Sequence, residues 1–205
     1  MRVFVMNADD VKEKHIDICK KYFPHRYEKS LSFHSENDAK LCIAASYLIY
    51  TFAKADEKDI YFLRNNKPYI KNSPVFFNVS HSKKYAVIAV APSQVGVDIE
   101  KAEEKNLVCA RRVFLENERK WINNETSKFS VLWTLKESVM KALGEGFALA
   151  PKDFDVMPFL DNKSITVGDT ELWAYTAVYD GYSVSLCLSN EPKNKFEGIE
   201  IVRIK

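Results

Sequence analysis

Apolar and polar residues alternate from Arg2 to Met6, the period of a half-buried strand. From Asp38 to Ala53 the period changes: Leu41, Ala44, Ala45, Leu48 and Phe52 recur at three- and four-residue intervals and predict a helix with one apolar face. Ile60–Leu63 is a short strand candidate, followed by a turn-rich stretch at Asn65-Asn66-Lys67-Pro68. Val75–Val79, Tyr85–Ala91 and Val95–Glu100 are β-rich runs, the first two separated by polar Ser80–Lys84. Leu107–Phe114 and Glu116–Asn123 read as helices, and Ser130–Leu143 is the clearest helix in the chain. Leu172–Tyr179 and Tyr182–Leu188 flank Asp180-Gly181, a dipeptide that supplies the positive φ angles of a tight hairpin. Helices mixed with antiparallel-looking strands predict an α+β fold.

Composition narrows this picture modestly. A chain of 205 residues can bury a proper core as one domain or two small ones. Each half offers helix and strand in a comparable mix, so a division at 1–94 and 95–205 is expected, with no linker-like segment between. Net charge +2 argues against a nucleic-acid-binding surface, while leaving room for a local basic patch. Cys19, Cys42, Cys109 and Cys187 are scattered without metal-ligand spacing, which favours free thiols in a reducing compartment. No run is apolar enough to span a bilayer, and Met1–Asn7 lacks the pattern of a signal peptide. A cytoplasmic protein without membrane partners is expected.

The chemistry concentrates in two segments. In Gly96-Val97-Asp98-Ile99-Glu100 the two carboxylates are two residues apart, so a pleated strand points both the same way. A strand-end carboxylate is commonly just solvated. Here the apolar frame of Val95, Val97 and Ile99 indicates an interior strand that delivers two like charges to one spot, where a cation would neutralise them. In Trp133-Thr134-Leu135-Lys136-Glu137-Ser138-Val139-Met140-Lys141, Glu137 and Lys141 share a helix face turned away from the stripe of Leu132, Leu135, Val139 and Leu143. Such a pair is ordinarily a surface support worth about 0.2–0.5 kcal/mol. However, Lys136 falls within the apolar stripe, where a charge is costly unless it snorkels or meets a partner. Gly144-Glu145-Gly146 ends the helix and allows close backbone approach. Three carboxylates and an ammonium suit an oxygen-loving divalent cation, Mg²⁺, Mn²⁺ or Ca²⁺ rather than zinc, holding a phosphate ester. Ser80-His81-Ser82 invites a nucleophile reading, but neighbours on an extended chain point apart and no G-x-S-x-G elbow is present. Phosphate contact suits that segment better. His15, His25 and His34 have no ligand spacing.

Lys67-Pro68, then Phe77-Asn78-Val79-Ser80-His81-Ser82, then Gly96-Val97-Asp98-Ile99-Glu100, then Trp133-x-x-Lys136-Glu137-x-x-x-Lys141 with Gly144-x-Gly146, resembles the 4′-phosphopantetheinyl transferases. The similarity is to their longer, pseudo-dimeric branch, typified by the enzyme that activates surfactin synthetase. The resemblance implies two similar α+β halves in a pseudo-twofold arrangement, with the active site in the cleft between them, in a monomer. It implies transfer of phosphopantetheine from coenzyme A to a serine of an apo acyl or peptidyl carrier protein. It gives Asp98, Glu100 and Glu137 as metal ligands, with Glu137, Lys141 and Asp98 carrying the chemistry. Coenzyme A contacts would come from Lys67, Ser80, His81 and Lys141, with Lys136 beside them and Arg26 and Lys29 as a looser basic pair. One position departs: an alignment on Asp38-Ala39 puts Leu41 where the family often has an arginine for the 3′-phosphate. Neighbouring Lys40 could serve, though it points about 100° away on a helix. The alternatives are a Mg²⁺-dependent phosphodiesterase and a non-catalytic carrier-binding protein.

Overall fold

The structure, a computed structural model, describes residues 2–63, 66–191 and 198–205. Met1 and Asn65, named above, lie outside them. Strand β1 (Arg2–Asn7) leads into helices α1 (Glu13–Tyr22), α2 (Pro24–Leu31) and α3 (Glu36–Leu48), the last running into a π-helical turn at Ile49–Ala53. Strands β2 (Ile60–Phe62) and β3 (Pro68–Ile70) make a small hairpin, and β4 (Phe76–Ser82), β5 (Tyr85–Ala91) and β6 (Val95–Lys101) follow. After α4 (Ala110–Val113), α5 (Glu116–Ile122), α6 (Thr126–Leu143) and α7 (Met157–Leu160) come β7 (Ile165–Val167), β8 (Thr170–Tyr179), β9 (Tyr182–Leu188) and β10 (Glu200–Ile204). The fold is α+β, as the mixed periodicity predicts.

Two four-stranded sheets carry the architecture, in the orders β10-β1-β5-β4 and β6-β9-β8-β7. All pairs are antiparallel except β1 with β10. Alternation along the strands divides the interior into three cores. Ala86 and Ile88 of β5 pack with Leu41, Ala44 and Leu48 of α3, whereas Val87 and Ala89 meet Val95, Val97 and Ile99 of β6. Along β9, Val184 and Leu186 join that same central core, and Cys187 turns to the third, with Leu132, Leu135 and Val139 of α6. The two sheets therefore face each other across a shared apolar layer, each with its long helix outside. Fully burying each aliphatic side chain there contributes about 1.5–3 kcal/mol.

Several elements differ from the sequence reading. Helices α1 and α2 were not expected: both are mostly polar, and α1 fully buries only His15 and Cys19 and α2 only Ser30. The polar Ser80–Lys84 segment is a strand as far as Ser82, and Lys83, at φ 51°, makes the turn into β5. Asp180 and Gly181 adopt the positive φ angles expected of them, 49° and 75°. The expected division falls between β5 and β6, which belong to different sheets. Residues 200–204, expected in the second half, pair in register with residues 2–6 of the first sheet.

Candidate active site

Close approach of α6 to β6 builds the site. Gly96 lies so near the helix that a Cβ there would run into the Ser138 carbonyl oxygen and the Ala142 nitrogen. With no side chain in the way, the helix settles on the strand and brings Glu137 and Lys141 beside Asp98 and Glu100. Hydroxyl pairs set the helix along the sheet: Ser130 with Ser183 at 2.8 Å and Thr134 with Ser185 at 2.7 Å. On the other side, β4 and β6 are edges of their respective sheets and are joined by side chains. Asn78 Oδ1 accepts the Val97 N–H at 2.9 Å, and Ser80 donates to Asp98 Oδ1 at 2.7 Å.

A cavity of about 700 Å³ is bordered by Asp98, Glu100, Glu137 and Lys141 from β6 and α6, and by Arg26, Lys29, Asp38, Leu41, Ser80 and His81 from α2, α3 and β4. Asp98 is buried and accepts from Lys141 Nζ at 2.5 Å, and that ammonium also donates to Ser80 at 3.0 Å. Burial pushes the Glu137 carboxyl above its ordinary range; Lys141 opposes the shift, and the Asp98 and Glu100 charges add to it. Glu100 is raised by burial and then by Asp98. His81 reaches solvent at the mouth, yet the protein around it and the Lys141 ammonium hold its imidazole below its usual range. Arg26, Val79 and Lys141 also border an adjoining cavity of about 400 Å³, whose other walls include Phe62, Lys67, Pro68 and Phe77.

Three expected coenzyme contacts have their charges engaged by other groups of the protein. Lys136, one residue before Glu137 and so about 100° round the helix, is wholly buried. It pairs with Glu118 at 2.8 Å and donates to the Pro151 and Phe154 carbonyls at 2.7 and 2.8 Å. The charge in the apolar stripe thus has a partner, and it ties α5 and the 151–154 loop to α6 and does not line the cavity. Lys67 borders the smaller cavity, but its buried ammonium donates to the Val95 and Ala142 carbonyls, and desolvation lowers its pKa to about 8. Lys40 pairs with Glu36 at 2.6 Å on the outer face of α3, while Leu41 faces the cavity. Sequence reasoning passed over Glu118, whose carboxylate also accepts the Leu115 and Val156 N–H groups at 2.8 and 3.0 Å. Its place three residues into α5 is that of a capping acid, and this was the available signal. Asn78 lay within a quoted motif but had no role until the strand edges met.

Among the described residues no three carboxylate, imidazole or thiolate groups are gathered into a ready-made metal cage, and Lys141 neutralises Asp98. The donor set nevertheless fits an oxygen-seeking divalent cation. Asp98, Glu100 and Glu137 meet on one side of the cavity with Lys141 as the cation among them, and burial and mutual repulsion have raised Glu100 and Glu137.

Residues 94–187, from the start of β6 to β9, match the model of the 4′-phosphopantetheinyl transferase superfamily and include Asp98, Glu100, Glu137 and Lys141. Over 183 residues, 82% of each chain, the protein is 30% identical to the 4′-phosphopantetheinyl transferase Sfp of Bacillus subtilis (strain 168). It is 32% identical to the 4′-phosphopantetheinyl transferase gsp of Aneurinibacillus migulanus over 157 residues, 69% of this chain and 63% of that protein. An L-aminoadipate-semialdehyde dehydrogenase-phosphopantetheinyl transferase of Xenopus laevis is 33% identical over 126 residues, half of this chain and 42% of that one. With this likeness extending through both sheets and over the carboxylate cavity, the chain belongs to the 4′-phosphopantetheinyl transferase family.

Proposed function

We propose that this transferase moves the 4′-phosphopantetheine arm of coenzyme A to a serine hydroxyl of an apo carrier protein, with Mg²⁺ as its metal. The observation that carries the reading is the convergence of Asp98, Glu100, Glu137 and Lys141 on one cavity whose opposite wall carries two cations, Arg26 and Lys29, and one acid, Asp38. Asp98, Glu100 and Glu137 would hold the cation, which when bound draws electron density from the pyrophosphate oxygens. Arg26, Lys29 and His81 face the same space and suit the phosphates of the coenzyme, and Ser80 and Lys141 supply a hydroxyl and an ammonium at 3.0 Å from each other. The serine oxygen forms a bond to the β-phosphorus as the bond to the bridging pyrophosphate oxygen breaks, and adenosine 3′,5′-bisphosphate departs. Lys141 offsets charge on the departing phosphate. Glu137, raised above the ordinary carboxylate range by burial, accepts the serine proton directly or through water. Both walls of the cavity come from one chain, which supports a monomer. Four free cysteines favour a cytoplasmic setting, and none of the described helices is long and apolar enough to cross a membrane.

Incubation with coenzyme A, Mg²⁺ and an apo carrier protein tests this by intact mass. The carrier should gain one phosphopantetheine, and EDTA or Asp98→Ala should abolish the gain while the variant's melting temperature holds. Coenzyme A hydrolysed without carrier, and no gain on carriers of fatty acid, polyketide or peptide type, would overturn the reading.

A further inference from the structure

Helix α2 carries both cations on the far wall of the cavity, Arg26 and Lys29, three residues apart and hence on one face. The backbone N–H groups in the first turn of a helix have no partner within it, and Phe23 at the N-cap supplies no side-chain acceptor. Glu57 does so from outside the helix. Its Oε2 accepts the His25 backbone N–H at 2.9 Å and lies 2.9 Å from His25 Nδ1, and its Oε1 accepts the Arg26 N–H at 3.1 Å. The carboxylate thus spans two successive donors at the positive end of the helix dipole. The side chain is only 21% exposed, so solvent competes weakly for these bonds.

The contact reaches both walls of the coenzyme space. Glu57 opens the 3₁₀ turn Glu57–Asp59 that runs into β2, and Ile60 and Phe62 of β2 border the smaller cavity together with Glu57 and Arg26. The other end of Arg26 is held by Ser46 of α3, which accepts from Nε at 2.8 Å. Arg26 is therefore set at its backbone by Glu57 and along its side chain by Ser46.

We propose that Glu57 is a positioning residue for coenzyme A binding. It fixes the first turn of α2, and so the placement of Arg26 and Lys29, without touching the reacting atoms. This rests on the reading of Arg26 and Lys29 as coenzyme contacts.

The test compares E57A, E57Q, R26A and the E57A/R26A double variant. Coenzyme A affinity is read by calorimetry at fixed Mg²⁺, and KM and kcat by turnover on an apo carrier. E57A should weaken coenzyme A binding about tenfold, with KM for the coenzyme rising in step. Its kcat and its KM for the carrier should stay within about twofold, a split that general loss of structure would not produce. E57Q keeps an acceptor oxygen for one N–H and should fall between wild type and E57A. In the R26A background, E57A should cost clearly less than it does in wild type, because the share of its effect that passes through Arg26 is already gone. Unchanged affinity in E57A, with R26A weakened, would overturn the role of Glu57 alone. A fall in kcat with both KM values raised, and full additivity in the double variant, would reduce Glu57 to general support and overturn it. Unchanged affinity in R26A would overturn the coenzyme reading of that residue, and this inference with it.

Discussion

Glu137 and Lys136 are neighbours with opposite fates. Four-residue spacing to Lys141 put Glu137 on the cavity, and that was readable from the sequence because helix periodicity is local. Lys136 belongs to the same motif, yet 100° of rotation sends it into the core, where Glu118 and two carbonyls receive it. A motif identifies residues but does not give them one destination. Glu137 and Glu100 carry a pH consequence. Because burial raises both, they take up protons at higher pH than the ordinary 4.5. A bound cation needs them ionised, so apparent Mg²⁺ affinity should fall as pH drops through a range above 4.5. The same shifts mean that the native state holds more protons than the unfolded chain in that range, so these charges cost stability at neutral pH. Metal titrations across pH should show the fall, and Glu137→Gln should flatten it. Affinity unchanged in wild type down to pH 4.5 would contradict the assignment.

At the scale of elements, β6 and α6 were the most legible and are the most closely coupled. The sequence showed a strand with carboxylates on one side and a helix ending at glycines. It did not show that Gly96 is the point of contact, since a glycine in a strand reads equally as a bulge. In Gly96→Ala the added carbon would meet backbone atoms on α6, which cannot swing aside as a side-chain tip can. We expect destabilisation of about 3 kcal/mol, with activity lost as Glu137 moves away from Asp98. Chemical denaturation would measure it, and a variant of native stability would show that the strand and helix are less tightly apposed. Among the basic candidates, Arg26 and Lys29 reached the cavity on a helix that the sequence reading did not find. With few buried positions, α2 is too polar overall to read as a core helix; it is held by packing and by Glu57.

The two sheets are joined through a shared interior. Central-layer residues come from β1, β5, β6 and β9 alike, and β10 returns to lie parallel to β1. Tyr85 donates to Asp180 at 2.7 Å, linking the first sheet to the β8–β9 turn. A chain ending at Glu191 would lose β10 and bare the edge of β1, an open template for association. Its melting temperature should fall and its light scattering rise. A truncated protein that stays monomeric and melts like the full chain would show that β10 is dispensable.

Local chemistry was enough to determine the α+β class, the hairpin at Asp180-Gly181, the helix that presents Glu137 and Lys141, and the strand that presents Asp98 and Glu100. Each follows from a period of 2 or 3.6, or from backbone geometry that glycine permits. Tertiary structure alone decided which charges face the cavity and which are spent holding the fold. Lys67 caps carbonyls, Lys136 meets Glu118, and Glu57 holds α2 from a distant loop. The physical reason is that burying a charge is costly without a partner, and the partner can come from anywhere in the chain.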